Sequence, residues 1–307
     1  MMTGSVVPRH APRLIYLKLL LMAFFWGGTF IAGRFLAGRI TPFPAAFLRF
    51  TMASMVLVLL TLHKHRGWPR ILPGQWLPLL LLGLSGVFAY NAFFFKGLEL
   101  ITAGRAAVIV ANNPVLIAVF ASLLLGEKLG LLRIVGILLS VFGAIVVITQ
   151  GHPARVFDEG LGQGEWFIFG CVLSWVVYSL VGRIALRGMT PLVAVTFSAL
   201  IGTLLLLPAA LLDGLVTQLP GYTPMVWLSL AYLGLFGTVL AFLWYYQGIQ
   251  SLGATRAGQF INFVPVSAVI LSASLLDEPL TPPLLIGLVL VSVGVYLTNR
   301  PTHPVSV

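Results

Sequence analysis

The reactive side chains of this chain are few, and their placement favours binding over catalysis. All eight acidic residues (Glu99, Glu127, Asp158, Glu159, Glu165, Asp213, Asp277 and Glu278) lie at the ends of apolar runs or between them. The five histidines (His10, His63, His65, His152 and His303) lie in connecting or terminal segments, and the single cysteine, Cys171, sits alone inside an apolar run. A catalytic centre needs a nucleophile with a base, paired carboxylates or metal ligands. None can assemble within the apolar runs, so an integral membrane enzyme is only a remote alternative, and no cofactor, metal or intramolecular disulfide is expected.

What those runs do carry is aromatic rings beside isolated polar groups. One segment reads Tyr90-Asn91-Ala92-Phe93-Phe94-Phe95-Lys96, another Ala241-Phe242-Leu243-Trp244-Tyr245-Tyr246-Gln247, and Trp175, Tyr178 and Ser179 form a third cluster, with Trp26 and Phe30 in the first run. Such rings can anchor a helix at a membrane interface or stack on an indole or phenyl group. Asn91 or Lys96 could then meet a carboxylate. Tyr90, Asn91, Phe94, Lys96, Trp175, Tyr178, Trp244 and Tyr245 are therefore candidate binding residues. Pro114 and Pro265 add two helix breaks, each freeing the carbonyl four residues earlier, at Val110 and Ile261. Breaks of this kind at membrane depth must face protein or a cavity. Asn112 and Asn113 flank the first, Gln259 and Asn262 the second, which makes Asn112, Gln259 and Asn262 further candidates and the prolines candidate hinges, although a kink used only for packing would look the same.

The elements that position these groups follow from composition. Of 307 residues only 8% are charged and 59% are hydrophobic, with a mean hydropathy of +1.03, where a soluble domain carries about 25% charged residues. A bilayer core takes about 20 apolar residues per helix. Ten such runs are legible, at 16–38, 42–62, 75–98, 102–125, 130–149, 163–187, 190–212, 224–249, 254–276 and 280–298. The expected fold is an all-α integral membrane protein, with the lipid bilayer as its solvent. The formal charge of +10 is scattered singly, unlike a nucleic-acid face. With the N-terminus inside, twelve Lys and Arg fall on the cytoplasmic side against Arg34, Arg39, Arg105 and Arg155 outside. Both termini are then cytoplasmic, and the first apolar run, long and without a small-x-small cleavage site, reads as an uncleaved span rather than a signal peptide.

The chain also repeats itself. A shift of 149 superposes Trp26 on Trp175, Gly33 on Gly182, Arg34 on Arg183, Thr41 on Thr190, Pro42 on Pro191 and Ala45 on Ala194. A shift of 151 superposes Gly83 on Gly234, Gly86 on Gly237, Gly97 on Gly248, Arg105 on Arg256, Pro114 on Pro265, Glu127 on Glu278, Gly136 on Gly287 and Gly143 on Gly294. Five spans per copy is an odd number, so the copies enter the membrane from opposite sides, as inverted repeats about an axis in the membrane plane. The expected organisation is a cytoplasmic tail at 1–15, a first repeat at 16–149, a periplasmic linker at 150–162, a second repeat at 163–298 and a second tail at 299–307. Lys96 aligns with Gln247 and Asn91 with Phe242, breaks in symmetry that a chemically asymmetric ligand would require.

Two five-helix units, each with a Trp in its first helix, a Pro within the fourth and a Glu at its end (Gly126-Glu127-Lys128-Leu129 and Asp277-Glu278-Pro279-Leu280), resemble the EamA-type branch of the drug/metabolite transporter superfamily over residues 16–298. Within that branch the sequence looks most like the YddG-type exporters of aromatic amino acids. The resemblance implies efflux of small amphipathic metabolites across a bacterial inner membrane. No obligatory protein partner is implied, and a nucleoside, a sugar derivative or a lipophilic drug stays open as the cargo.

The remaining repeated residues admit plainer roles. Thr41-Pro42 and Thr190-Pro191 read as helix caps. Glu127 and Glu278 can stabilise the start of the following helix or form a gate. Arg34, Arg183, Arg105 and Arg256 can snorkel to the interface or contact a substrate or gate. The paired glycines read as close-contact points between helices. With no carboxylate inside the runs and no phosphate-binding loop, strict proton coupling and ATP hydrolysis are not expected.

Overall fold

The computed structural model describes residues 12–125, 130–152, 161–185, 188–252 and 260–298. The described residues are helical, with no strand among them. Eight helices are long and apolar enough to cross a membrane, and two shorter apolar ones, Phe260–Leu275 and Pro282–Thr298, complete ten. In order the spans are Pro12–Leu36, Pro42–His65, Pro73–Leu100, Ala103–Leu125, Leu131–Ile148, Gln163–Ala185, Pro191–Leu212, Pro224–Leu252, Phe260–Leu275 and Pro282–Thr298. Their outer faces carry large aliphatic side chains such as Leu59, Leu123, Leu138 and Leu204, left exposed by the protein. In lipid that is the favourable arrangement, because apolar side chains meet apolar tails while the helices keep most backbone hydrogen bonds internal.

Four spans are interrupted, and the interruptions match between the halves. The third and eighth spans change to π-helix at Gly83–Ala89 and Tyr232–Leu240. The fourth breaks at Ala111-Asn112 between Ala103–Val110 and Asn113–Leu125. The ninth opens with a 3-10 turn at Phe260–Asn262 before Phe263–Leu275. A shift of 151 carries each break onto its counterpart. The wide π turns re-aim side chains along a helix, a feature often found at functional sites.

Packing obeys the same symmetry. The second span packs on the seventh and the fifth on the tenth, while the first meets the eighth and ninth as the sixth meets the third and fourth. Ser54 and Thr203, equivalent by the 149 shift, share a hydrogen bond of 3.2 Å across the axis. At the seam of the fifth and tenth spans, a Cβ on Gly136 would fall 2.6 Å from the Gly294 carbonyl, and one on Gly143 would fall 3.0 Å from the Gly287 carbonyl. These four glycines bring two backbones into contact, as helix association in lipid favours.

Hydrogen bonds at the ends of the spans correct two expectations. Thr190 caps its helix by accepting from the Val193 N–H at 3.4 Å, but Thr41 makes no such bond. Its hydroxyl instead meets the Asp213 carbonyl at 3.0 Å, because the turn before the eighth span folds over it. Glu278 does not serve the helix that follows it. Its carboxylate accepts from Ala103 N–H at 2.9 Å and Gly104 N–H at 3.1 Å, capping the fourth span of the other repeat.

Candidate functional site

The second, third, sixth, seventh and eighth spans line a small cavity of about 20 Å³, room for about one water, beside the pseudo-two-fold axis. Phe50, Trp175, Tyr178 and Phe242 give it aromatic walls, and Ser198 and Thr238 supply hydroxyls. The third span can approach because Gly86 lies in its π turn, where a Cβ would collide with the Tyr178 ring. Trp175 is the hub, with ring centroids 5.1 Å from Tyr178, 5.4 Å from Tyr90 and 6.2 Å from Phe242. Tyr90 stacks in turn on Phe94 at 5.9 Å. Of the residues picked from sequence, Tyr90, Phe94, Trp175 and Tyr178 are thus brought together.

The cavity sits on the axis yet is not symmetric. Phe50 and Ala199 are equivalent by the 149 shift and both line it, as do Val87 and Thr238 by the 151 shift. One pair sets a ring against a methyl group, and the other sets a hydroxyl against a methyl group of about the same size. Ser198 corresponds to Arg49, and Phe242 to Asn91, so two lining residues have strongly polar counterparts.

Those counterparts bond to each other beside the cavity. Arg49 is 7% exposed and Asn91 1%. The guanidinium donates from Nη1 to Asn91 Oδ1 at 2.9 Å, and from Nε and Nη2 to the Thr238 hydroxyl at 3.4 and 3.3 Å. Asn91 donates to the Val87 carbonyl at 2.8 Å and Thr238 to the Leu233 carbonyl at 2.9 Å, both inside π turns. Sequence reasoning selected Asn91 but not Arg49. The available signal was a lone Arg inside an apolar span that aligns with Ser198.

The other candidates are used elsewhere. Lys96 lies between the rings of Phe43 and Phe167, at 5.9 and 5.7 Å from their centroids, nearer the face that bears Arg34. Asn112 donates to Val108 and Ile109 carbonyls near the helix break and accepts from Ser140 at 2.6 Å, so it serves the fourth and fifth spans rather than the cavity. Trp244 stacks on Phe25 at 5.6 Å and Tyr245 packs on Trp26 at 5.6 Å, tying the eighth span to the first. Trp26 finds its acceptor in the Gly237 carbonyl at 3.0 Å. Asn262 closes the 3-10 turn of the ninth span. Pro114 and Pro265 both lie just inside the helical segment that follows a break. Glu127, Gln259 and Arg256, and the side chain of Arg183, lie outside the described residues.

On the Arg34 face the basic residues hold backbone and carboxylate groups. Arg34 donates to the Leu98 carbonyl at 2.6 Å and the Glu99 carbonyl at 3.1 Å. Arg105 pairs with Glu165 at 2.7 Å and donates to the Ile148 carbonyl. Arg34, Arg39, Glu99, Thr102 and Glu278 surround an open vestibule there. The hydrogen bonds and ion pair tie together the ends of the first, third, fourth, fifth and sixth spans, and no metal-ligand cluster occurs among the described residues.

Comparison with known proteins agrees with this architecture. The EamA-like transporter family matches residues 13–149 and again 162–300. An uncharacterized transporter of Bacillus subtilis, YyaM, is 31% identical over 281 residues, covering 92% of each chain. An uncharacterized transporter of Archaeoglobus fulgidus is 27% identical over 288 residues, covering 94% of this chain and 98% of its own. A crystal structure 21% identical superposes with a TM-score of 0.65, covering 93% of this chain and 97% of that one, a likeness of fold.

Proposed function

Because the chain belongs to the EamA-like transporter family, we propose that it exports small amphipathic metabolites, aromatic and other neutral amino acids first among them, across a bacterial inner membrane with both termini in the cytoplasm. The observation that carries this reading is the axial aromatic cluster, where Trp175, Tyr178, Phe50 and Phe242 line a small cavity of about 20 Å³ that must widen to admit cargo. Ring faces of this kind favour an indole or phenyl group, and pairs prefer centroid separations of about 4.5–7 Å. The inverted repeats supply the motion. Two halves of one design can exchange conformations, so that states open to either side lie close in free energy. The cavity's polar lining is hydroxyl rather than carboxyl, which supports transport down the substrate's own gradient without strict proton coupling.

Flux of labelled phenylalanine and tryptophan into and out of proteoliposomes holding only this protein tests the proposal. The expected result is saturable flux that is unchanged in extent by an imposed pH gradient and that needs higher substrate concentrations in Trp175→Ala. Accumulation against the substrate gradient, driven by pH alone, would overturn the uncoupled reading. Flux no greater than in empty liposomes would overturn the aromatic one.

A further inference from the structure

Arg49 is the least expected group in the molecule. It lies seven residues along its helix from Pro42, roughly 10 Å from that end at 1.5 Å per residue, and it is buried, 5.2 Å from the centroid of the Phe50 ring. Removing a guanidinium from water is expensive unless a counter-ion and a full set of acceptors replace the lost hydration. Arg49 has neither. Among the described residues the one ion pair is Arg105 with Glu165, so no carboxylate there balances the charge. Its three hydrogen bonds go to the neutral side chains of Asn91 and Thr238, which leaves two of the five guanidinium N–H groups unused. An ionisable residue kept within a membrane at such cost marks a functional site.

Its position says what that function serves. Thr238 both receives Arg49 and lines the cavity. By the repeat relation Arg49 stands where Ser198 stands in the other half, and Ser198 lines the cavity. If the halves exchange conformations during transport, Arg49 and Asn91 take the wall positions that Ser198 and Phe242 hold here. The guanidinium then meets the cargo with a planar, doubly donating edge, the geometry that suits a carboxylate.

We propose that Arg49, positioned by Asn91 and Thr238, is the anchor for a carboxylate on the transported molecule. The cargo must then carry an anionic group beside its apolar part, and the buried charge is completed only when cargo is bound. This inference rests on the axial cavity being the transport site, and it is separable from the preference for rings.

The test is binding of four probes to the purified full chain by calorimetry: tryptophan, indole-3-propionate (carboxylate without amine), tryptamine (amine without carboxylate) and leucine (carboxylate without ring). Tryptophan and indole-3-propionate should bind at least about tenfold tighter than tryptamine, and Arg49→Gln should weaken both carboxylates to the tryptamine level while leaving tryptamine unchanged. Asn91→Asp guards against a simple folding defect. It sets a counter-ion against the guanidinium but gives up the Asn91 donor to the Val87 carbonyl, so tryptamine binding, which reports the folded protein, should hold while carboxylate binding falls. Tryptamine binding as tightly as indole-3-propionate would overturn the anchor, as would Arg49→Gln weakening all probes alike, Asn91→Asp leaving the profile unchanged, or no carboxylate binding at all. Leucine binding as tightly as tryptophan, with discrimination against tryptamine intact, would overturn the aromatic reading and leave the anchor standing.

Discussion

The seam between the fifth and tenth spans and the cavity between the second, third, sixth, seventh and eighth are built from the same repeat but treat its symmetry differently. At the seam, Gly136 faces Gly294 and Gly143 faces Gly287, so each contact is repeated by its equivalent across the axis. At the cavity, Phe50 opposes Ala199 and Thr238 opposes Val87, while the counterparts of Ser198 and Phe242 are Arg49 and Asn91. Backbone contact is indifferent to which copy supplies it, so packing alone lets duplicated residues persist. A ligand with a charged end and an apolar end is not symmetric, and the wall that grips it cannot be either. Where symmetry holds, the contacts support the fold; where it fails, they fall at the site proposed to recognise the cargo.

The largest expected effect lies at the seam. In Gly294→Ala the new Cβ would fall 2.5 Å from the Ser140 backbone nitrogen and 2.6 Å from the Gly136 carbonyl. Neither is a flexible side-chain tip, so the two helices must separate, at a cost of about 1–3 kcal/mol. Thermal unfolding in detergent should show the loss, while the ratio of affinities among substrates stays at its original value. A changed ratio would break the division between a supporting seam and a selecting cavity.

At the cavity, Trp175→Ala removes the ring that contacts Tyr90, Tyr178 and Phe242. Aromatic contact is worth about 0.5–1.5 kcal/mol beyond buried area, so apparent affinity for tryptophan should fall about tenfold or more. Leucine should lose less. Equal losses for both, read from concentration-dependent flux, would show that Trp175 packs the bundle rather than meets the cargo.

A smaller effect is expected at the Arg34 face, where Glu278 joins the second repeat to the first helix turn after Thr102. Glu278→Gln keeps one carbonyl oxygen as an acceptor but loses the second acceptor and the charge. Caps of this kind are worth about 0.5–2 kcal/mol, and the cost should appear in the unfolding temperature. If the cap also holds that face shut, accessibility of a cysteine placed at Thr102 to a polar thiol reagent should rise. Unchanged accessibility would make the contact a cap and nothing more.

The spans were legible as twenty-residue apolar runs, and the duplication was read from coincidences among Arg, Glu, Pro and Trp, minority residues in a mostly aliphatic chain. The π turns at Gly83–Ala89 and Tyr232–Leu240 were not, since a π turn uses ordinary side chains and only Gly83, Gly86, Gly234 and Gly237 hinted at close approach. Trp175, Tyr178 and Tyr90 could be picked from ring density, but Asn112 could not be separated from them. Its amide returns to its own helix and to Ser140, a local bond that sequence does not distinguish from one aimed at a ligand. Glu278 misled for a different reason. Its nearest helix start in sequence is the tenth span, whereas reversal of the chain brings the fourth span's free N–H groups to it. Arg49 was visible as a lone cation in a span, but whether such a side chain snorkels or stays buried is decided by its neighbours, and those come from the third span and from the eighth span of the other repeat.

The finest test moves asymmetry without adding or removing any of it. Phe50→Ala combined with Ala199→Phe transfers one ring across the axis and keeps the cavity's volume, a class of change that costs less than about 1.5 kcal/mol when repacking is possible. Each single variant should be worse than the pair, because one opens a void and the other overfills the small cavity that both positions line. In the double variant the ring faces Arg49 from the opposite side. If the cavity reads its cargo by the placement of a ring relative to the charge, the preference for tryptophan over leucine should shift by a few fold, about 0.5–1 kcal/mol, while folding is retained. A double variant with the preference of the original protein would mean that only the volume of the cavity matters, and that the asymmetry at positions 50 and 199 carries no recognition.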